Sequence, residues 1–223
     1  RSAGSLGSIS LGAGIVGGKG AASGSLFALK AGIAGVTTKA SLAGGAGDAS
    51  GRIEAAGGIT KISIGGNVAG GGGSESGAIM AGTLGTVAIA GDLRGGDGDG
   101  SGALQSTTAD AQSIQILGSL LGGAGTGSGF VDVAGTVLSA TVGVDLRGGD
   151  GKRSGSFAAG KTIASLLVSG SMVGGTGVSS GSVVAPALGT ITFGGSIGGQ
   201  GIASATIKAL SGGIKELSIA GFL

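Results

Sequence analysis

The frame Gly-Gly-x-Gly-x-x-Ser recurs eight times in this chain of 223 residues, and no other feature of the sequence constrains the fold as strongly. The eight copies begin at Gly17, Gly44, Gly70, Gly95, Gly122, Gly148, Gly174 and Gly198. Successive copies are 24 to 27 residues apart, so the identical heptapeptides DLRGGDG at 92–98 and 145–151 are separated by two repeats. A regular period of this length is typical of solenoids, in which each repeat is one structural unit that stacks on its neighbours.

Apolar residues keep fixed positions within the repeat. An alternating pair such as Ile114 and Ile116 precedes each frame, and a third apolar residue, such as Leu120, lies just before the glycines. After the serine come another apolar residue and, two positions further on, a smaller one, as in Phe157 and Ala159. Alternation with period two indicates short β-strands with one face turned inward.

These patterns predict an all-β fold, a parallel β-helix (β-solenoid) with about eight coils of roughly 26 residues and the glycine–serine frame at one corner. We predict a right-handed helix, because the repeat does not divide into the hexapeptide steps of left-handed β-helices. The whole chain, 1–223, is predicted to be one domain, with incomplete coils at 1–8 and 215–223. An α-helical solenoid is excluded, since each interior glycine costs a helix about 1 kcal/mol.

Composition supports an ordered chain that is neither collagen nor a disordered segment. Glycine supplies 58 residues but proline only one, whereas collagen needs abundant proline and a glycine at every third position. Hydrophobic residues make up 41% of the chain and charged residues 11%, which favours burial of apolar surface over disorder.

The recurring serine predicts a structural ladder. Hydroxyls stacked at one corner could each donate a hydrogen bond to one neighbour and accept one from the other, which would satisfy buried polar atoms. The predicted ladder contains Ser23, Ser50, Ser76, Ser101, Ser128, Ser154, Ser180 and Ser204. For the glycines of the frame we expect positive φ angles, which glycine adopts without steric penalty.

Catalytic, cofactor and metal sites are not predicted. The chain has no cysteine and no histidine, and its 11 acidic residues are scattered. The densest group, Asp92 with Asp97 and Asp99, is repeated only in part by the frame. The frame resembles the calcium-binding nonapeptide GGxGxDxUx of RTX-type β-rolls, but at the Asp position this chain has Ala22, Ala49 and Glu75 in its first three copies. Asp97 and Asp99 leave open weak binding of a single ion. We therefore predict a protein that is not an enzyme and has no cofactor.

Partners are constrained by charge and hydropathy. The formal net charge of +2 gives no reason to expect a nucleic-acid partner. No apolar run reaches the ~20 residues that a membrane-spanning helix requires. The partners that we predict are further copies of the chain or flanking repeats of the same polypeptide.

Two outward faces offer candidate contact residues. Arg94 and Arg147, next to Asp92 and Asp145, are predicted to form surface ion pairs or to make lateral contacts between rods. Apolar residues predicted to point outward for the same contacts are Phe27, Met80 and Phe130. Hydroxyl residues on the outward face of the first strand resemble the Thr-x-Thr arrays of ice-binding proteins, with Thr190 and Thr192 as the closest match.

The two ends of the chain are predicted to form an end-to-end interface. Neither has a polar cap, and unpaired strand edges favour further pairing. The predicted interface residues are Ala3, Leu6, Ile9, Leu11, Leu217, Ile219 and Leu223. Two alternatives remain open: the chain is a section of a longer β-helical polypeptide, or subunits stack head to tail into a filament.

Glycine-rich repeats of this style resemble the β-helical segments of large bacterial surface proteins of the adhesin and autotransporter-like class. The resemblance implies an extracellular or cell-surface location. Together with the predicted ends, it leads us to expect a structural protein of a fibre. Alternatives are an adhesin stalk or surface binding module, and an ice-binding β-helix.

Overall fold

The computed structural model describes residues 4–222, which form 23 β-strands and no helix. The strands stack in coils of about 26 residues, so the predicted parallel β-solenoid of about eight coils is confirmed. Each interior coil contains three strands, one long and two short.

The long strands follow the alternating apolar pattern. They are β1 (Leu6–Leu11), β4 (Ile33–Thr38), β7 (Ile59–Ile64), β10 (Leu84–Ile89), β13 (Ala111–Ile116), β16 (Val137–Val142) and β19 (Thr162–Val168). The short strands before the serine corner are β2 (Ile15–Val16), β5 (Leu42–Ala43), β8 (Val68–Ala69), β11 (Leu93–Arg94), β14 (Leu120–Leu121), β17 (Leu146–Arg147), β20 (Met172–Gly174) and β22 (Ile197–Gly199).

The short strands after the corner are β3 (Leu26–Ala28), β6 (Ile53–Ala55), β9 (Ile79–Ala81), β12 (Leu104–Ser106), β15 (Val131–Val133) and β18 (Phe157–Ala159). In the last two coils this strand continues into the next long strand, which gives β21 (Val183–Phe193) and β23 (Ile207–Ile219).

Every strand pairs in parallel with the equivalent strands of the neighbouring coils. In β10, for example, Val87 lies beside Ile62 of β7 on one side and Ile114 of β13 on the other. The strands before the corner form one eight-stranded sheet, and β21 joins the other two strand columns into a single 15-stranded sheet. Residues about one repeat apart in sequence are thus direct neighbours in space.

The apolar columns build one continuous core. Interior members such as Ile62, Leu93 and Phe157 are fully buried, because a coil covers them on each side. At the outermost coils Leu6, Ile9, Leu11 and Ile219 are only partly buried, although they pack against the same core. Burial in this fold therefore depends on how many neighbouring coils a residue has.

The eighth corner differs from the other seven. The strand register places Gly198 beside Val173 and Gly199 beside Gly174, so Gly199 takes the place of the first glycine of the frame. The sequence frame that begins at Gly198 is therefore displaced by one residue in the structure. The distance from the preceding apolar residue to the serine is seven residues here, from Ile197 to Ser204, and eight from Met172 to Ser180.

Candidate functional site

The serine corner is held by hydrogen bonds within each coil. In seven corners the serine Oγ accepts a hydrogen bond from the N–H of the second glycine in the same frame, at 2.8 to 3.0 Å. Ser204, at the displaced eighth corner, instead bonds Gly201. Among residues 4–222 no hydrogen bond joins two of these eight hydroxyls, which corrects the predicted hydroxyl-to-hydroxyl ladder.

The orientation of the side chains explains this correction. Each corner Oγ is turned towards the glycine N–H of its own frame, as Ser101 is towards Gly96 N, and not towards the hydroxyl of the next coil ~4.8 Å away. The coils are joined at this corner by the main chain, as where Gly102 N donates to Ser76 O at 2.8 Å. The serine side chain therefore shapes its own corner, and the backbone connects one corner to the next.

In seven of the eight frames the first glycine is in close contact with the neighbouring corner, which leaves no room for a side chain. The positive φ angles that we predicted for the glycines of the frame occur instead at the residues that flank the serine. Positive φ occurs at the residue before the serine and at the residue after it, for example at Glu75 (53°) and Gly77 (61°). The first glycine of the frame packs against the next corner: a Cβ on Gly95 would lie 2.6 Å from Ser128 Oγ and 2.7 Å from Gly129 N. The signal that was missed is the glycine that follows the serine in seven of the eight copies.

The residue before the serine has the position at which RTX repeats have their aspartate. Six non-glycine residues hold positive φ angles there: Ala22, Ala49, Glu75, Arg153, Ser179 and Ala203. This backbone conformation costs a residue with a Cβ about 1–2 kcal/mol. The conformation recurs at all six residues, although Glu75 is the one among them that has a carboxylate.

A polar column that we did not predict lies one residue before seven of the eight short strands that precede the corner, β2 being the exception. In this acceptor column each side-chain oxygen accepts a hydrogen bond from the backbone N–H of the next member, one coil further on. Its members are Ser41, Asn67, Asp92, Ser119, Asp145, Ser171 and Ser196, and the last one accepts from Phe222 N. The column satisfies N–H groups between the strands, and its sequence signal is the recurrence of Ser, Asn or Asp at one position.

Asp92 shows the electrostatics of this column. Its Oδ1 accepts a hydrogen bond of 2.7 Å from Ser119 N, and its Oδ2 binds the guanidinium of Arg94. Burial disfavours the charged carboxylate, but the hydrogen bond from Ser119 and the interactions with Arg94 outweigh burial and lower the pKa of Asp92. Asp145 and Arg147 form the equivalent ion pair at 3.1 Å. Both arginines are about half exposed, as befits a weak surface ion pair.

The aromatic residues predicted to make lateral contacts are covered by their own chain. Phe27 is 5% exposed, and the guanidinium carbon of Arg52 lies 5.4 Å from the centre of its ring. Phe130 is 7% exposed and packs on Ala78 and Ala103, the small residues that precede it in its column. Met80 is half-buried beside Arg52, 3.5 Å from Sδ to Nη1. Neither ring is therefore available for the contact between rods that we predicted.

The outward side of the long strands forms a hydroxyl face. Its two columns are in register across nine coils: Ser8, Gly35, Lys61, Thr86, Ser113, Ser139, Ser165, Thr190 and Glu216, and beside them Ser10, Thr37, Ser63, Ala88, Gln115, Thr141, Leu167, Thr192 and Ser218. Serine or threonine fills two thirds of these positions. In the Thr-x-Thr coil, Thr190 Oγ1 donates to Glu216 at 3.2 Å.

The predicted end-to-end residues lie on the outermost coils. Leu6, Ile9 and Leu11 are in β1, which pairs with β4 alone in the described part, and Leu217 and Ile219 are in β23, which pairs with β21 alone. Leu217 is 42% exposed, whereas Ile191, its neighbour in the same column, is buried. Ala3 and Leu223 lie outside the described residues.

The structure brings no metal-ligating group of three side chains together within residues 4–222. Over the same range no helix is long and apolar enough to cross a membrane. Asp97 is exposed, and Asp99 accepts a hydrogen bond from Thr126 N at 2.7 Å, so this carboxylate connects two coils.

We compared the chain with protein families, with curated proteins and with solved structures, and none of the three comparisons gave a significant match. No protein-family model matches the sequence. No curated protein matches it significantly, and no solved structure does.

Proposed function

We propose that this chain is a non-enzymatic structural protein of an extracellular or cell-surface fibre, extended by main-chain pairing between the end coils of successive copies. The observation that carries the proposal is β23. One edge of this 13-residue strand pairs with β21 at nine positions, and its other edge has no strand beside it in the described part.

The side chains of the last coil support the same proposal. Ile214 and Leu217 continue two core columns but are 39% and 42% exposed, because no further coil covers them within residues 4–222. At the opposite end, β1 presents the equivalent columns through Leu6 and Ile9, which are partly buried. A coil stacked on β23 would bury this apolar surface and pair its backbone groups, as interior coils do. Stacking by one repeated screw operation generates an open fibre.

The location is proposed from the style of the repeat, which resembles that of bacterial surface proteins. A structural rod at the cell surface would act through its length and its rigidity and would need no enzymatic activity. The adhesin stalk remains the main alternative, and it differs in that its rods would stay separate.

Electron microscopy and sedimentation of the purified protein test the fibre. We expect filaments that lengthen with protein concentration and have an axial repeat near ~40 Å, which corresponds to eight coils at ~4.8 Å each. Discrete rods at all concentrations would contradict the fibre and favour the stalk.

A matched pair of variants locates the contact. Leu217→Lys places a charge on the end coil, and Leu167→Lys places one on the side of the rod at a residue that is equally exposed, 40% against 42%. We expect Leu217→Lys to abolish filaments and Leu167→Lys to preserve them. Equal effects of the two variants would show that copies associate through another surface.

Ice binding is a second candidate, favoured by the register of the hydroxyl face across nine coils. Thermal hysteresis of the protein solution tests it directly. Thr141→Lys, in the middle of the face, should abolish the hysteresis, whereas Leu121→Lys, on the outward side of the other sheet, should preserve it. No hysteresis in the unmodified protein would exclude this candidate.

A further inference from the structure

A basic groove lies on the outward side of the strands that follow the serine corner, in the last four coils. Asp132, Ala158, Val184 and Lys208 are side by side in this sheet, one from each coil. The groove has a volume of about 390 Å³. Because it crosses the strands, it runs along the rod axis, and three coil steps give it a length of ~14 Å.

The groove is concave because its central side chains are short. In the first four coils the same outward column holds the larger residues Phe27, Glu54, Met80 and Gln105. In the later coils Ala158 and Val184 separate Asp132 from Lys208, and Leu210 adds apolar surface at one end. The floor is thus a narrow apolar strip with charged residues around it.

The charge of the groove is positive. Lys152, Arg153 and Lys208 line it together with a single carboxylate, that of Asp132. Three cations and one anion give the groove a formal charge of +2, which equals the net charge of the whole chain. The positive and negative charges of the remaining residues therefore cancel. Burial raises the pKa of Asp132, and the charge of Arg153 opposes that rise.

The cationic side chains of the groove keep their hydrogen-bond donors available. The ion pairs of the described residues involve Arg52, Arg94 and Arg147, all outside the groove. The groove hydroxyls differ, since Ser182 donates to Ser179 O at 2.8 Å and Ser156 gives its one proton to Ser182 Oγ at 3.1 Å or to Ser179 O at 3.2 Å. A ligand would therefore be held by the cations, while the serines keep the wall in shape.

We propose that this groove binds a segment of an acidic polysaccharide, whose carboxylate or sulfate groups meet Lys152, Arg153 and Lys208. Arginine and lysine donate charge-assisted hydrogen bonds to such oxyanions. The aliphatic faces of pyranose rings fit the strip formed by Ala158 and Val184. The length of ~14 Å suits about three sugar units.

The lining argues against a nucleic acid. Proteins that bind single-stranded nucleic acids stack the bases on aromatic side chains, and no aromatic residue lines the groove. The groove is formed within one copy, so the proposal does not require stacking of copies. Its last residues, Lys208 and Leu210, belong to β23, the strand at the proposed contact between copies.

Calorimetric titration with defined oligosaccharides tests the proposal. The probes are oligogalacturonate of three to six units for the carboxylate, a sulfated dextran oligomer for the sulfate, and uncharged dextran. We expect at least one acidic probe to bind with an affinity that falls as salt increases, and the uncharged probe not to bind. Absence of binding by both acidic probes, or tighter binding of a single-stranded DNA 12-mer, would overturn the proposal.

The groove variant combines Lys152→Thr, Arg153→Gly and Lys208→Gln. Each new residue already occurs at the equivalent position of another coil, as Thr126, Gly127 and Gln105. The control combines Lys19→Thr, Lys39→Ser and Lys61→Thr, which removes the same charge from the other end of the rod. We expect the groove variant to lose at least tenfold in affinity and the control to lose less than threefold. Equal losses would show attraction by net charge alone.

A variant that fails to fold does not end the test. Lys152 and Lys208 are solvent-exposed. The single variants Lys152→Thr and Lys208→Gln should therefore each weaken binding severalfold without lowering the unfolding temperature. In the unmodified protein, the acidic probe should shift the amide resonances of Ala158 and Val184. Shifts confined to another face would contradict the proposed site.

Discussion

An interior coil and the last coil of this solenoid contain similar residues in the same order, yet they bury them to very different extents. Leu166 in β19 and Leu217 in β23 share one core column through Ile191, but they are 1% and 42% exposed. Ser101 and Ser204 differ likewise, since the first is fully buried and the second partly exposed. The difference teaches that stability resides in the contacts between coils, because an interior coil has two of them and an end coil one.

The largest expected effect is the loss of a core side chain in an interior coil. Leu166→Ala should lower the free energy of unfolding by ~2–5 kcal/mol, since it leaves a cavity between two covered coils. Leu217→Ala removes the same atoms from the uncovered column and should cost less than ~1 kcal/mol in the dispersed protein. Urea denaturation followed by circular dichroism measures both, and equal losses would show that the last coil is covered in solution.

A methyl group at the glycine corner should have the next largest effect. In Gly95→Ala the new Cβ would lie 2.6 Å from Ser128 Oγ and 2.7 Å from Gly129 N, so the adjoining coil must move, at a cost of ~1–3 kcal/mol. Gly198 begins the eighth frame in the sequence, but a Cβ there meets nothing within 4 Å. Gly198→Ala should therefore leave the melting temperature unchanged. A large effect of Gly198→Ala would contradict the displaced register of the last corner.

Removal of a corner hydroxyl should have a smaller effect. Ser101→Ala deprives Gly96 N–H of its acceptor, and the cost should be ~1–2 kcal/mol because the group is largely shielded from water. Ser204→Ala, at the more exposed corner, should cost less than ~1 kcal/mol. Hydrogen exchange of the Gly96 amide is the specific readout, and it should become faster in Ser101→Ala. Unchanged exchange would show that this amide has another partner.

The smallest expected effect depends on pH and tests the acceptor column. The pKa of Asp92 is lowered in the folded chain, so its carboxylate stabilises the fold above the unfolded pKa of ~4, and this contribution is lost as pH falls through the folded value. In Asp92→Asn the side-chain oxygen can still accept from Ser119 N, as Asn67 accepts from Asp92 N. The variant should cost less than ~1 kcal/mol at pH 7.

Urea midpoints at pH 7, 5 and 3 provide the measurement. The difference between the unmodified protein and Asp92→Asn should shrink from pH 5 to pH 3, as the carboxylate of Asp92 begins to take up a proton and lose its charge. A difference that is constant over this range would mean that the charge of Asp92 does not contribute to stability. Arg94→Gln is a useful companion, since it removes only the ion pair at the surface.

The candidate sites were less predictable than the fold. The serines were identified from their recurrence, but their partners were not, because a hydroxyl that recurs at one position can bond within its coil or between coils. Phe27 and Phe130 were predicted to face outward, whereas Arg52 covers one ring and a column of alanines receives the other. Such contacts join residues one or more repeats apart, and the side-chain geometry that selects among them is not local.

The sequence by itself determined the solenoid: its period, its strands and the columns of its core. These properties follow from alternation within a few residues and from the spacing of the frame, and both are local patterns. Only the tertiary structure decided which positions of the frame have no room for a Cβ and which residues have a positive φ angle. It also decided which oxygens accept the N–H groups between coils, and where short side chains leave a groove. The physical reason is that coils ~4.8 Å apart force the backbone of one against the backbone of the next, and the consequences appear only when both are in place.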